Sequence, residues 1–195
     1  MINVFKPIQT ERLLLRKLKL EDAGNFFEYR SKPEIQEFQA FKPNSVQETK
    51  EFLFEIENSI NVPNTWYQMA VCLRETNQLI GDIGIHFTQD DLQTEIGYTL
   101  SPEFQHKGYA KEGVKAVMDF LFMSLLKHRV FASVDPLNGP SIRLLESLGM
   151  RKEAHFVKSY RLSDGWGMML FMPFWKKNGL MVKSKVKQNN ESKSE

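Results

Sequence analysis

The sequence predicts an α+β fold built on one mixed, mostly antiparallel sheet with flanking helices, and three observations predict it. Segments with strand character follow one another from Trp66 to Leu100 across short polar connections, as in an antiparallel meander. A strong helical stripe then runs from Tyr109 to Lys127, and a short strand, a short helix and two more strands come after it. The chain has 195 residues, 42% apolar and 26% charged, which suits one domain with one sizeable core. That domain is expected over residues 1–180, with a disordered polar tail over 183–195.

The elements can be justified in order. Glu11-Arg-Leu-Leu-Leu-Arg-Lys-Leu18 reads as a first strand. Glu21 and Asp22 supply helix-start acids before Ala23, Phe26, Phe27 and Arg30, which recur at helical spacing. Pro33 and Pro43 punctuate a loop that carries Phe38 and Phe41, both candidates for an acceptor mouth. Ser45-Val-Gln-Glu48 is a capping box for a helix with its stripe at Val46, Phe52, Leu53, Ile56 and Ile60, ended by Pro63. Trp66–Leu73, Leu79–Phe87 and Gln93–Leu100 are strands. In the middle one Leu79, Gly81, Ile83, Ile85 and Phe87 share a face, and Gly81 and Gly84 point to a bulge or a close backbone approach. The long helix has its stripe at Ala110, Val114, Val117, Met118, Leu121, Phe122 and Leu125. Val130–Val134 is a strand, and Pro140–Leu148 is a helix stopped by Gly149. Lys152–Leu162 and Met168–Phe174 pair across a turn at Ser163-Asp-Gly165.

Composition excludes several functions. Lys plus Arg is 26 and Asp plus Glu is 24, so a net charge of +2 argues against a surface that grips nucleic acid or anionic membrane. The lone Cys72 cannot form an intramolecular disulfide or a multi-Cys zinc framework, and the four His residues give no metal-ligand pair. The first 17 residues lack a signal-peptide core, and the uncharged run 165–175 is shorter than the roughly 20 residues of a membrane helix. A cytoplasmic protein without a metal is expected.

Chemistry concentrates in Thr94–Ala110, where a strand runs through a short loop onto the long helix. A helix start offers unpaired backbone N–H groups and the positive end of its dipole, which together make an anion site. Gly108 lets the backbone approach a ligand, Ala110 keeps the first turn small, and His106 and Lys107 add positive charge.

Gln105-His-Lys-Gly-Tyr-Ala110 resembles the pyrophosphate loop of the GNAT N-acetyltransferases. Three further segments match in order. Glu95-Ile-Gly-Tyr98 with Pro102 resembles the splayed strand that receives pantetheine, Asn138 and Ser141 the second coenzyme-binding segment, and Leu144-Leu-Glu-Ser-Leu-Gly-Met150 its ending. The opening Thr10-Glu-Arg-Leu-Leu-Leu-Arg16 is similar to the branch containing the ribosomal-protein N-terminal alanine and serine acetyltransferases. The resemblance covers about Ile8 to Trp175. It implies a sheet with a splayed central strand pair, acetyl-CoA as cosubstrate, and an amine acceptor that is a protein N-terminus or a small molecule.

Coenzyme contacts implied by the resemblance are Tyr98, Leu100, Gln105, His106, Lys107, Gly108, Tyr109, Ala110 and Asn138. Near Leu100 a freed backbone N–H would polarise the thioester. Glu95 is the candidate base, with Asp82 and His86 as weaker alternatives, although a strand Glu also suits a solvated face. Leu145 stands where many family members carry a proton-donating Tyr, so Ser141 becomes the candidate donor to the thiolate, with Tyr98 and Tyr160 in reserve. Ser141 could equally serve only the helix start after Pro140. A non-catalytic acyl-CoA-binding regulator is the alternative. The paired C-terminal strands also leave a homodimer open.

Overall fold

The computed structural model describes residues 5–56, 59–162 and 165–176. The expected tail and the turn residues Ser163 and Asp164 lie outside them. In chain order the elements are β1 (Ile8–Gln9), β2 (Leu13–Lys17), α1 (Ala23–Arg30), α2 (Pro33–Gln36), α3 (Val46–Glu55), β3 (Thr65–Leu73), β4 (Leu79–Phe87), β5 (Gln93–Leu100), α4 (Tyr109–Met123), β6 (Arg129–Val134), α5 (Gly139–Ser147), β7 (Ala154–Leu162) and β8 (Gly165–Trp175). The strands form one sheet in the order β1-β2-β3-β4-β5-β6-β8-β7. All neighbours are antiparallel except β5 and β6, which run parallel.

Alternation divides the sheet into two faces. Ile83, Ile85 and Phe87 of β4 and Ile96 of β5 join Val114, Val117 and Leu121 of α4 and Ile142 and Leu145 of α5 in the larger core. The opposite face carries Ala70 and Cys72 against Leu18, Phe26 and Tyr29, with Leu53 of α3. Fully buried Asp82 is held on that second side by Tyr29 Oη at 2.7 Å and Arg30 Nη2 at 2.6 Å, and it also accepts from Gln68. Both anticipated glycines mark close approaches. A Cβ on Gly84 would lie 2.8 Å from Gln68 Oε1, and one on Gly81 would collide with the backbone carbonyl of Thr99.

Strand ends differ from the sequence expectation by up to three residues, β8 starting at Gly165 rather than Met168, and three helical segments also differ. Pro33 opens a short helix, α2, which seats buried Ile35. At the end of α3, Ile56 turns extended at ψ 146°, so Ile60 reaches the larger core from the following loop. Helix α4 stops at Met123 because Lys127 is fully buried, its Nζ donating to Asp91 O at 2.6 Å and pairing with the Asp91 carboxylate. His128 N–H and Arg129 N–H both donate to Leu92 O, so the turn before β5 is tied to the start of β6.

That tie closes one end of the β5–β6 junction, and the other end opens. Register pairs exist only at Gln93–Arg129, Thr94–Val130 and Glu95–Phe131. From Ile96 onward β5 stays on β4, while β6 continues with β8 through Val134.

Ser45 caps α3 as expected, with Glu48 N–H donating to Ser45 Oγ at 3.0 Å, but the return arm of the expected capping box shifts by one residue, the Glu48 carboxylate accepting from Asn44 N–H at 2.9 Å. Ser45→Ala should therefore cost about 1 kcal/mol of stability, read as a lowered urea midpoint.

Candidate active site

The opened edge of β5 meets the start of α4. Ser101 N–H donates to Ile80 O on β4 at 2.8 Å, so by strand alternation the N–H groups of Leu100 and Tyr98 face the edge that β6 has left. Gln105 Nε2 reaches back to Leu100 O at 2.9 Å and closes the loop onto the strand end. Gly108 caps α4 with φ 83°, a left-handed conformation that glycine adopts without steric cost. The first helical bond runs from Glu112 N–H to Gly108 O, so the preceding N–H groups are the unpaired donors of the helix start. His106 and Lys107 are exposed beside them. Tyr98, Leu100, Tyr109, Ala110, Gly113 and Val114 line one cleft at this junction. Six of the nine anticipated coenzyme positions thus fall in one loop, and Tyr98 and Leu100 lie on the strand that feeds it.

Asn138 and Ser141 sit at the start of α5. Asn138 Oδ1 accepts from Ser141 N–H at 3.1 Å, so capping falls to Asn138 and frees the serine hydroxyl from that task. The hydroxyl instead lies 2.8 Å from Tyr98 Oη, across the opening between β5 and α5. Burial pushes the Tyr98 phenol up to about 12, against a smaller opposing effect of its bond to Ser141. The phenol therefore keeps its proton at neutral pH. Leu145 is fully buried in the larger core. The sequence names Tyr98 and Ser141 separately, but no sequence signal joins residues 43 positions apart.

Glu95 belongs to the opposite face. Three residues separate it from Tyr98, and an odd separation along a strand reverses the side. Glu95 lies beside His86 in register, and the His86 ring stacks on Trp66 with centroids 5.1 Å apart. Among the described residues no hydrogen bond or ion pair engages the Glu95 carboxylate, and the residue is partly exposed. The adjacent Gly97 is exposed and a Cβ there would meet nothing within 4 Å, so the sheet is open next to Glu95. Asp82, by contrast, is saturated by its partners. Phe41 is partly buried and stacks on Phe52 at 4.1 Å against the smaller core.

Two properties bear on the chemistry available. Among the described residues no three His, Cys, Asp or Glu side chains gather where they could hold a metal ion. No helix of the described residues is long and apolar enough to cross a membrane.

A family model described as an acetyltransferase (GNAT) domain matches residues 12–151. An uncharacterized N-acetyltransferase of Bacillus licheniformis is 33% identical over 161 residues, covering 82% of this chain and 90% of its own. The crystal structure of a GNAT-family acetyltransferase from Bacillus anthracis superposes with a TM-score of 0.79 at 28% identity, covering 87% of this chain and 98% of that one. The same fold, at 20% identity and a TM-score of 0.73, occurs in a spermidine N-acetyltransferase from Vibrio cholerae in complex with CoA and spermine, with 85% of this chain and 96% of that chain covered.

Proposed function

The chain belongs to the GNAT family of acetyl-CoA-dependent N-acetyltransferases, and from that premise we propose that it acetylates a primary amine by direct attack on the thioester. The observation that carries this reading is the junction at Ile96, where β5 loses β6 while its chain runs on into a glycine-capped helix start. The residues present suit acetyl-CoA. Unpaired N–H groups and the dipole of α4 meet a pyrophosphate, Gly108 supplies the left-handed turn that presents them, and the opened β5 edge offers N–H groups to a pantetheine arm.

The two faces of the sheet divide the proton work. Glu95, on the open face beside Gly97, accepts a proton from the amine as its nitrogen bonds to the acyl carbon, directly or through a water. The Leu100 N–H, directed into the opening, donates to the thioester oxygen as charge builds there. On the other face the Tyr98–Ser141 hydroxyl pair returns a proton to the sulfur as the carbon–sulfur bond breaks. The products are an amide and a free thiol.

Ser141→Ala is expected to lower kcat by about tenfold, because a thiol of ordinary pKa about 8.5 is a tolerable leaving group without full protonation. Acetyl-CoA affinity should stay within about twofold of the parent, since the change removes one hydroxyl near the sulfur. Adding Tyr98→Phe should deepen the loss. A parent rate in the double variant, with chemistry rate-limiting, would assign the proton to water.

The acceptor class is a protein N-terminus or a small amine. The opening motif places ribosomal-protein-like N-terminal peptides on the test panel, and the Vibrio cholerae spermidine N-acetyltransferase of the same fold places polyamines there. Thiol release from acetyl-CoA with that panel tests the whole reading. Stoichiometric thiol and N-acetyl product with one class supports it, and acetyl-CoA binding without turnover on any amine rejects it.

A further inference from the structure

The motif Thr10-Glu-Arg12 lies in the turn between β1 and β2, about a hundred residues before the coenzyme loop, yet it is built onto that loop. Arg12 Nη1 donates to Lys107 O at 3.0 Å, and the guanidinium lies 4.5 Å from the centre of the Tyr109 ring. Its Nε and Nη2 reach Glu112 Oε2 at 2.7 and 2.6 Å. The other Glu112 oxygen accepts from Arg12 N–H at 2.9 Å and from Thr10 Oγ at 2.6 Å. A Cβ on Gly108 would stand 3.3 Å from Nη2. One guanidinium therefore touches or borders residues 107, 108, 109 and 112.

We propose that Arg12, seated by Thr10 and Glu112, is a positioning residue that sets the loop before α4 for pyrophosphate. The inference rests on the loop being the coenzyme site, as proposed above. In a trans peptide the carbonyl and the following N–H point in opposite directions. Holding Lys107 O toward Arg12 thus aims the Gly108 N–H away from it, as a donor for a ligand on the far side of the loop. Lys107 O lies outside α4, so this bond fixes the loop rather than the helix. Two guanidinium nitrogens converging on Glu112 Oε2 and the ring of Tyr109 keep the guanidinium from rotating off that carbonyl. Burial would raise the Glu112 carboxyl, but its bonds to Thr10 and Arg12 outweigh burial and hold it below its ordinary value, so the seat stays charged.

The test compares two acetyl donors, acetyl-CoA and acetyl-pantetheine, which lacks the pyrophosphate. Arg12→Ala should raise the KM for acetyl-CoA by about ten- to a hundredfold, with kcat at saturation within about twofold, because misplaced donors weaken binding before chemistry. Acetyl-pantetheine should be used with the parent kcat/KM. Arg12→Lys should recover only a small part of the acetyl-CoA affinity, since an ammonium cannot fork, and Glu112→Gln should shift KM the same way but less. Should Arg12→Ala fail to fold, Arg12→Lys and Glu112→Gln carry the same comparison. An unchanged KM for acetyl-CoA, or an equal loss with both donors, overturns the proposal. Gly108→Glu separates it from the underlying reading. If that variant keeps its acetyl-CoA affinity the loop is not the coenzyme site, and if it loses affinity while the Arg12 and Glu112 variants keep theirs only the positioning role fails.

Discussion

Gly108→Glu is expected to abolish measurable acetyl-CoA binding in a protein that still folds. The position has φ 83°, where a side chain costs about 1–2 kcal/mol. That is a modest fraction of the stability of a domain held by two cores and an eight-stranded sheet. The effect on the ligand is far larger. The new side chain would start 3.3 Å from Arg12 Nη2 and bring a carboxylate to the proposed pyrophosphate site, adding like charge there and competing for the guanidinium that holds the loop, and a loss of at least about a hundredfold in affinity follows. Calorimetry with acetyl-CoA, beside a thermal melt of the same sample, checks both halves. Gly108→Ala brings the same backbone strain without the charge, so it should bind measurably but more weakly. Parent affinity in a folded Gly108→Glu protein would remove the loop from the coenzyme site.

Glu95→Gln is expected to lower kcat by about 10²–10⁴, the usual contribution of a positioned base, while acetyl-CoA affinity changes little. The separation follows from the sheet. Glu95 and Tyr98 lie on opposite faces, and among the described residues no hydrogen bond or ion pair joins Glu95 to the proposed coenzyme loop. Gln keeps the size and removes the proton acceptor, so a loss of rate reports chemistry and not packing. The measurement is a pH–rate profile on an accepted amine with coenzyme saturating. An unchanged rate and profile would make Glu95 a solvated face residue, and His86, its neighbour in register, would become the next group to test.

The proposed coenzyme loop was legible as a candidate anion site from residues alone because such a site at a helix start is built from contiguous backbone. Gly108 and the first turn of α4 supply the donors locally, while Arg12 holds the loop from a distance. The same locality made the α3 cap at Ser45, the start of α4 and the shared face of Ile83, Ile85 and Phe87 on β4 readable, whereas Leu79, expected on that face, joins the smaller core because the register with β3 shifts at Val71 and Cys72. The stacking of Phe41 on Phe52 was not legible, because loop composition does not say which ring a phenylalanine will meet.

The sequence by itself determined the α+β class, the order of the main elements and the segment proposed to carry the chemistry. Each of these rests on periodicity, caps and turns that act within a few residues. Only the tertiary structure decided that Tyr98 and Ser141 share a hydrogen bond, that Arg12 and Glu112 brace the loop, and that Lys127 ends α4 by turning in to Asp91. These pairs lie 43, 100 and 36 residues apart. Their meeting is set by sheet register and by where β5 and β6 part, and a hydrogen bond between distant residues forms only after the chain has closed the loops between them.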